Sequence, residues 1–594
     1  MLADRILNSG KTKRAAKAAV FAGIMICFIL LLPPIQKKII SLINTETSPL
    51  LSLPFAAQVI FIFALCCLYA KNIFSFLDNS VNLRLVYAVT IAAIMLTLGY
   101  IGFFSYRHGW QWLDSDHASE MVLGKILAEE NTLVSPLWHY STEIRLVYQT
   151  IFTMPLFKLL GSFENWALIR SLNIILNNLV LLLSYFFMMK QMKIQAKWIL
   201  ISGFFLVVPV SFEYWNIVTF GGYYIFFISQ LFCCLGLFAA LASHTGTVKT
   251  ALPAFILLLL LSFALGAQGI RTLYVIHLPL LIACIAIKKK YPLLLGCTAF
   301  AACLAGLAVN YLLHFKYFFQ SFENMRMENP VNFFSKFGQS LASLAGFFGL
   351  SGGSPLLSGH GFFSVAAITG TFILFWAVYK ACRRNIFLPI FFAASALCNI
   401  FIFVAGSISI TSRYFIPFMV LYVPLTALLF EHAEKVYGHT KRAALICGIV
   451  LFICGKSFLG FQDLAARDSN TIRKDHIQYL LDNRLNYGFA TYLNANITTE
   501  LSGGKIEIAS LEPSRVNSGR SMFRMHNYLI PVKFFDPLYH RGESFLLLSR
   551  EEWDSIRNRR RGAVLSKPDY EDRNFVILRY PSAEAIHREL LERE

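Results

Sequence analysis

Runs of roughly 20 apolar residues recur along most of this chain, the length at which a helix crosses a bilayer with its backbone groups satisfied internally. The first stands at 19–33 and the last at 442–458. With 56% hydrophobic and only 15% charged residues over 594 positions, the sequence excludes an ordinary soluble globule. It predicts a polytopic α-helical membrane protein with about 13 transmembrane helices, at 19–33, 54–70, 86–105, 168–189, 198–213, 222–242, 251–267, 272–287, 293–313, 362–379, 387–406, 414–430 and 442–458. The first run follows Lys11, Lys13, Arg14 and Lys17 and ends at Pro33-Pro34 without a small-residue cleavage site, so it reads as a retained span.

The net charge of +19 raises the question of nucleic acid, and its distribution answers it. Residues 459–594 hold 20 Lys+Arg against 19 Asp+Glu, so the excess belongs to the membrane part. Clusters such as Lys288-Lys289-Lys290 and Lys380, Arg383, Arg384 mark cytoplasmic loops, not a nucleic-acid groove. They place the N-terminus in the cytoplasm and everything after Ser457 outside it, in the periplasm or its equivalent, with membrane lipid as the surroundings. All 12 cysteines fall between Cys27 and Cys454 with no CxxC spacing, which supports neither a disulfide framework nor a thiolate zinc site.

Up to Ser457 the chain carries 15 acidic residues, and seven share one outer loop, 106–167: Asp114, Asp116, Glu120, Glu129, Glu130, Glu143 and Glu164. Carboxylates are costly near lipid and gather there for a task. Trp110, Trp112 and Trp138 accompany them, as at a membrane–water boundary. Within the loop, 117–130 and 144–160 read as helices lying on the membrane. Other outer connections are irregular: SFEYWNIVTFG over 211–221, a tight turn GAQGIR ending at Arg271, the long loop 314–361 ending GLSGGSPLLSGHG, and SISITSRYFIP with Arg413-Tyr414. The loop 314–361 reads as a cover over a cavity. The tail, 459–594, alternates strand-like pieces (GFATYL, KIEIASL, SFLLLS, NFVILRY) with helix-like ones (IQYLLDNRL, REEWDSIRN), which predicts a small extracytoplasmic α/β domain. The membrane domain then spans 1–458.

Asp114 and Asp116 form a DxD. Such a pair can hold a metal on a nucleotide sugar, a donor not available outside the cytoplasm. General-base chemistry fits better: Asp114 or Asp116 takes the proton from an acceptor hydroxyl as it attacks an anomeric carbon. A phosphate leaving group needs charge stabilisation more than an acid, and Arg271, Arg413 with Tyr414, and Arg145 stand where a lipid phosphate would lie. The competing reading of the DxD is a helix cap, and of Arg271 and Arg413 snorkelling to lipid. Glu213, His139 and Trp112 are candidates for substrate contact. The DxD leaves room for a divalent metal, yet His139 and His117 have no second His at ligand spacing, and no cofactor is required. His277, inside a span, reads as hydrogen-bonded to a neighbour, and Arg557 to Arg561 as a solvated helix face.

An acidic motif in the first large outer loop, a Gly-flanked arginine and RYFIP at later span ends resemble the GT-C-type membrane glycosyltransferases, with protein O-mannosyltransferases and lipid A aminoarabinose transferases as the nearest group. The resemblance implies a GT-C-like fold and a carboxylate base at Asp114 or Asp116 acting on a polyprenyl-phosphate sugar. It also implies arginines on the donor phosphate at Arg271 and Arg413. Three expected spans precede the motif here where the family usually has one, and Asp-Ser-Asp stands where it often has Asp-Glu. The expected activity is an inverting transfer of one sugar to an extracytoplasmic glycan, lipid or protein. Competing classes are a lipid-linked sugar flippase, an O-antigen-type polymerase or ligase, and a non-catalytic scaffold.

Overall fold

The computed structural model of the chain describes residues 79–141, 147–160, 165–244, 247–319, 326–348, 359–381, 386–407, 409–436, 439–514, 522–559 and 567–591. The expected spans at 19–33 and 54–70, Arg145, and most of the Gly/Ser-rich piece of the long loop lie outside the described residues.

Eight helices among the described residues are long and apolar enough to cross a membrane: Val86–Trp112, Trp166–Gln191, Ile225–Ala242, Lys249–Ala267, Lys290–Leu313, Phe387–Ala405, Ser412–Val436 and Leu445–Ala465. A further pair, Ala196–Val207 and Phe212–Phe220, is bent by 86° at its break, and Leu273–Ile287 and Val365–Tyr379 are shorter apolar helices. Every expected span from 86–105 onward therefore corresponds to a helix, but three are short or broken, so a count of 13 full crossings does not follow. The last long apolar helix, His439–Ala465, runs through the domain boundary expected at 458.

Apolar side chains cannot drive helix association in lipid, so close packing and internal hydrogen bonds do. Val248–Ala267 and Lys290–Leu313 cross where a Cβ on Gly266 would lie 1.9 Å from the Cys303 carbonyl oxygen, and one on Gly306 would lie 2.0 Å from that of Phe263. Elsewhere Trp215 donates to the Ser457 carbonyl at 3.0 Å, and Asn178 bridges the Ile174 and Thr219 carbonyls.

The C-terminal strands form a six-stranded sheet. In chain order they are β3 (Tyr487–Thr491), β4 (Glu507–Pro513), β5 (Phe523–Met525), β7 (Ser544–Ser549), β8 (Tyr570–Glu571) and β9 (Phe575–Tyr580), and the spatial order is β5-β4-β3-β7-β9-β8. β3 runs parallel to both β4 and β7, and the outer pairs are antiparallel. Successive strand residues point to opposite faces, and both faces here are apolar. Phe489, Leu546 and Leu578 pack on one face, and Phe545, Leu547 and Ile577 on the other. That explains the unbroken apolar runs SFLLLS and NFVILRY, since helices cover both sides. All four strand-like pieces read from the sequence hold strands, although Tyr492 and Leu493 at the end of GFATYL already open a helix, and both helix-like pieces hold helices.

Two devices seat this domain on the membrane part. A second sheet places β1 (Trp138–Tyr140), from the acidic loop, between β2 (Phe318–Phe319), from the long loop, and β6 (Ile530–Pro531), from the tail. His139 is opposite both Phe318 and Ile530. The second device is a buried ion pair. Arg170, on Trp166–Gln191, gives Nε and Nη2 to Glu500 Oε1 and Oε2 at 2.5 and 2.6 Å, on the tail helix Tyr492–Leu501. Both side chains are about 5% exposed. Removing one partner of such a pair strands a buried charge and costs about 3–5 kcal/mol, whereas replacing both with apolar groups need not. Arg170→Met or Glu500→Gln in the full chain should therefore lower the thermal midpoint sharply. Arg170→Met with Glu500→Leu should recover much of the loss, and wild-type midpoints for both single variants would contradict the seam.

Candidate active site at the domain seam

The acidic loop begins with the 3₁₀ turn Gly109–Trp112 and continues into the helix Ser115–Glu130. Asp114 is the N-cap of that helix: its Oδ1 accepts from the His117 backbone N–H at 2.8 Å and lies 3.2 Å from His117 Nδ1. The cap satisfies one of the backbone donors that a helix start leaves open. Asp116, in the first turn, has different partners. Its Oδ2 lies 3.5 Å from Arg413 Nη1, and its Oδ1 accepts from the Tyr492 hydroxyl at 2.6 Å. One half of the DxD thus shapes the backbone, and the other meets an arginine and a tyrosine.

Arg413 sits on the 3₁₀ turn Ser412–Phe415, at the start of a span. Its guanidinium lies 5.5 Å from the Tyr414 ring centre, and that of Arg271 lies 6.0 Å from the same ring. Arg271 also contacts Tyr224, with Nη1 3.3 Å from the hydroxyl and the guanidinium 5.5 Å from the ring. Arg271 and Arg413, far apart in sequence, thus share one aromatic cluster, with Asp116 on the Arg413 side. The turn carrying Arg271 is built by its neighbours. Gly269 takes φ +132°, closed to side chains, and Thr272 Oγ1 donates back to the Leu265 carbonyl at 2.9 Å. Asn310 holds the Ala267 carbonyl at 2.9 Å.

Both flanks of this cluster are π-helical: Trp215–Phe220 leads into Tyr223-Tyr224, and Leu273–His277 follows Arg271. Such wide turns re-aim side chains and are frequent at functional sites. A narrow cleft opens between them, lined by Tyr148, Tyr223, Tyr224, Gln230, Gln268 and Arg271. Tyr223 and Tyr224 escaped notice in the sequence because they fall inside the expected span 222–242. Tyr492 escaped because it lies 376 residues from Asp116.

Glu213 is half-buried on the short helix Phe212–Tyr214, which packs against the turn of Arg413. Trp112 is 7% exposed and packs on Phe104 and Phe220 in the main core. His139 is 9% exposed, between the rings of Phe318 and Phe535. His277 is fully buried with Nδ1 3.2 Å from the Thr272 carbonyl, the hydrogen bond to a neighbour expected of it, while its Nε2 is buried without a hydrogen-bond partner among the described residues. Among the described residues no three His, Cys, Asp or Glu side chains gather as a metal site would require.

No family model matches the sequence, and no curated protein does either. Solved structures do. ArnT from Cupriavidus metallidurans, in a crystal structure with undecaprenyl phosphate, superposes with a TM-score of 0.50 at 11% identity, over 83% of this chain and 97% of that one. Its apo structure gives 0.52 with the same identity and coverage. The chain has the fold of ArnT. This is the GT-C-type architecture expected from the sequence, in a multi-pass membrane protein with a small C-terminal sheet region.

Burial at the seam makes one local property pH-dependent. Desolvation holds His139 down to about 4 from an ordinary 6.5, so the folded chain keeps it neutral. The unfolded chain then binds more protons between those values, and stability rises with pH across that window. Unfolding midpoints should fall as pH drops from 6.5 towards 4, and His139→Phe should make that limb shallower, the rest coming from other buried histidines such as His476, which burial holds down to about 3. An unchanged slope in the variant would contradict the assignment.

Proposed function

We propose that the chain is an inverting glycosyltransferase that moves one sugar from a polyprenyl-phosphate donor to an extracytoplasmic glycan, lipid or protein acceptor. The observation that carries this reading is the contact of Asp116 with Arg413, whose guanidinium shares the Tyr414 ring with that of Arg271 at the ends of membrane helices. Asp116 takes the proton of the acceptor hydroxyl, whose oxygen forms the new bond to the anomeric carbon as the bond to the phosphate oxygen breaks. The leaving phosphate gains negative charge, which Arg413 and Arg271 stabilise as fixed, planar donors. A single displacement inverts the anomeric centre. Asp114 serves as the helix cap.

Room for a polyprenyl chain supports the same reading. A cavity of about 620 Å³ between helices is lined almost wholly by apolar groups, among them Val210, Phe348, Leu374, Leu429 and Ile453. Phe348 ends the helix Phe333–Phe347, which packs on the turn of Arg413, so a lipid chain in the cavity would bring its phosphate towards the arginines. ArnT has been crystallised with undecaprenyl phosphate, which is consistent with this class of donor. The C-terminal domain and Asp116 would then face the outside of a bacterial cytoplasmic membrane, where lipid-linked rather than nucleotide sugars are available.

Mass analysis of host surface glycans, at matched expression of wild type, Asp116→Asn and Asp114→Asn, tests the reading. Loss of a general base costs on the order of 10²–10⁴-fold, so Asp116→Asn should lose one sugar-mass increment. Asn caps helices as well as Asp does, so Asp114→Asn should keep it. A wild-type pattern from Asp116→Asn, with the increment lost on gene deletion, would overturn the base and favour transport.

A further inference from the structure

We propose that Tyr492, a residue of the C-terminal domain, is a positioning residue for the Asp116 carboxylate, so that the active site is complete only when that domain is docked. The proposal rests on the glycosyltransferase reading and assigns a role to the domain that the reading leaves without one.

The geometry is specific. Tyr492 opens the helix Tyr492–Leu501 directly after β3, and its hydroxyl donates to Asp116 Oδ1 at 2.6 Å while Arg413 lies on Oδ2. A carboxylate turns easily about its terminal torsion, which is broad and roughly two-fold. Anchors on separate oxygens fix that turn. Without Tyr492 both oxygens can swing to Arg413 in the bidentate pairing that guanidinium favours, which would hide the base from an acceptor hydroxyl. The ring is held independently of its hydroxyl: the Tyr528 and His526 rings stand 5.1 and 5.5 Å away, centre to centre. Burial, then the adjacent Asp116 charge, pushes the Tyr492 hydroxyl far above its usual range, which keeps it a proton donor.

The hydroxyl is not needed to hold the domain on. Arg170 and Glu500 tie the far end of the same helix to the membrane part, and β1 pairs with β6. Asn470 further binds the Trp110 and Leu113 carbonyls at 2.8 and 2.9 Å. Arg170 Nη2 also donates to the His117 carbonyl at 2.9 Å, so one guanidinium sets the tail helix against the turn that carries Asp116. Docking therefore delivers the hydroxyl to the carboxylate rather than depending on it.

Tyr492→Phe keeps the ring and removes only the hydroxyl. Full-length Tyr492→Phe, Asp116→Asn and wild type would be compared by the rate at which the sugar-mass increment appears on host glycans, by binding of undecaprenyl phosphate to the purified full chain in nanodiscs, and by thermal midpoint. The expected result for Tyr492→Phe is a rate lower by roughly 10–100-fold, the value of one hydrogen bond to a charged group, with wild-type lipid affinity and midpoint. A wild-type rate in Tyr492→Phe beside an inactive Asp116→Asn overturns the proposal and leaves the transferase reading standing. A rate that falls together with the midpoint also overturns it, by making Tyr492 a seam contact only. An increment retained in Asp116→Asn sinks both.

Discussion

Arg170 is the hinge on which the arrangement of this molecule turns. A guanidinium almost wholly buried in the first turns of a membrane-spanning helix must find carboxylate and carbonyl partners, because a buried unpaired charge is far more costly than a paired one. Its partners here are Glu500 of the C-terminal domain and the carbonyl of His117 at the start of the acidic helix. Three segments distant in sequence are thereby fixed at one point. The same tail helix begins with Tyr492, and the same acidic helix carries Asp116 in its first turn, so their hydrogen bond follows from how Arg170 seats them.

The division of labour within Asp114-Ser115-Asp116 follows from helix geometry. A residue just before the first turn presents its carboxylate to the backbone donors, while one two positions later projects sideways from the helix. The first is spent on the His117 N–H, and the second reaches across to Arg413 and Tyr492. The two arginines gather for a related reason. Each sits at a tight or wide turn at the end of a membrane helix, where chain direction changes and a long side chain can lie over aromatic rings in partial water. An anion entering this cluster meets two fixed cations without either having to be pulled from lipid.

The sequence disclosed what depends on neighbours in the chain. Apolar runs announce spans because lipid allows little else, and the tail's strands were legible because both faces of its sheet are covered. The chemistry was half legible: carboxylates and arginines at span ends are anomalies that ask for a function. Their assembly was not, since Asp116 and Arg413 lie 297 residues apart and only the bundle brings them together. His139 and Trp112 read as candidates for substrate contact in an outer loop, whereas β2 and β6 cover the first and the helix core covers the second. Whether a loop side chain is covered by another domain is a tertiary fact with no local signature. The same holds for Tyr492, which within YGFATYL looks like any aromatic at the end of a strand.

Everything proposed for this site depends on whether the arginine cluster holds a polyprenyl phosphate. The direct measurement is the affinity of the purified full chain in nanodiscs for undecaprenyl phosphate, in wild type, Arg271→Gln, Arg413→Gln and Asp116→Asn. Each arginine variant should bind at least about tenfold more weakly, since each removes a charged hydrogen-bond donor to the phosphate. Asp116→Asn, which removes a like charge beside it, should bind as well as wild type or better. Wild-type affinity in both arginine variants would place the phosphate elsewhere and contradict the account.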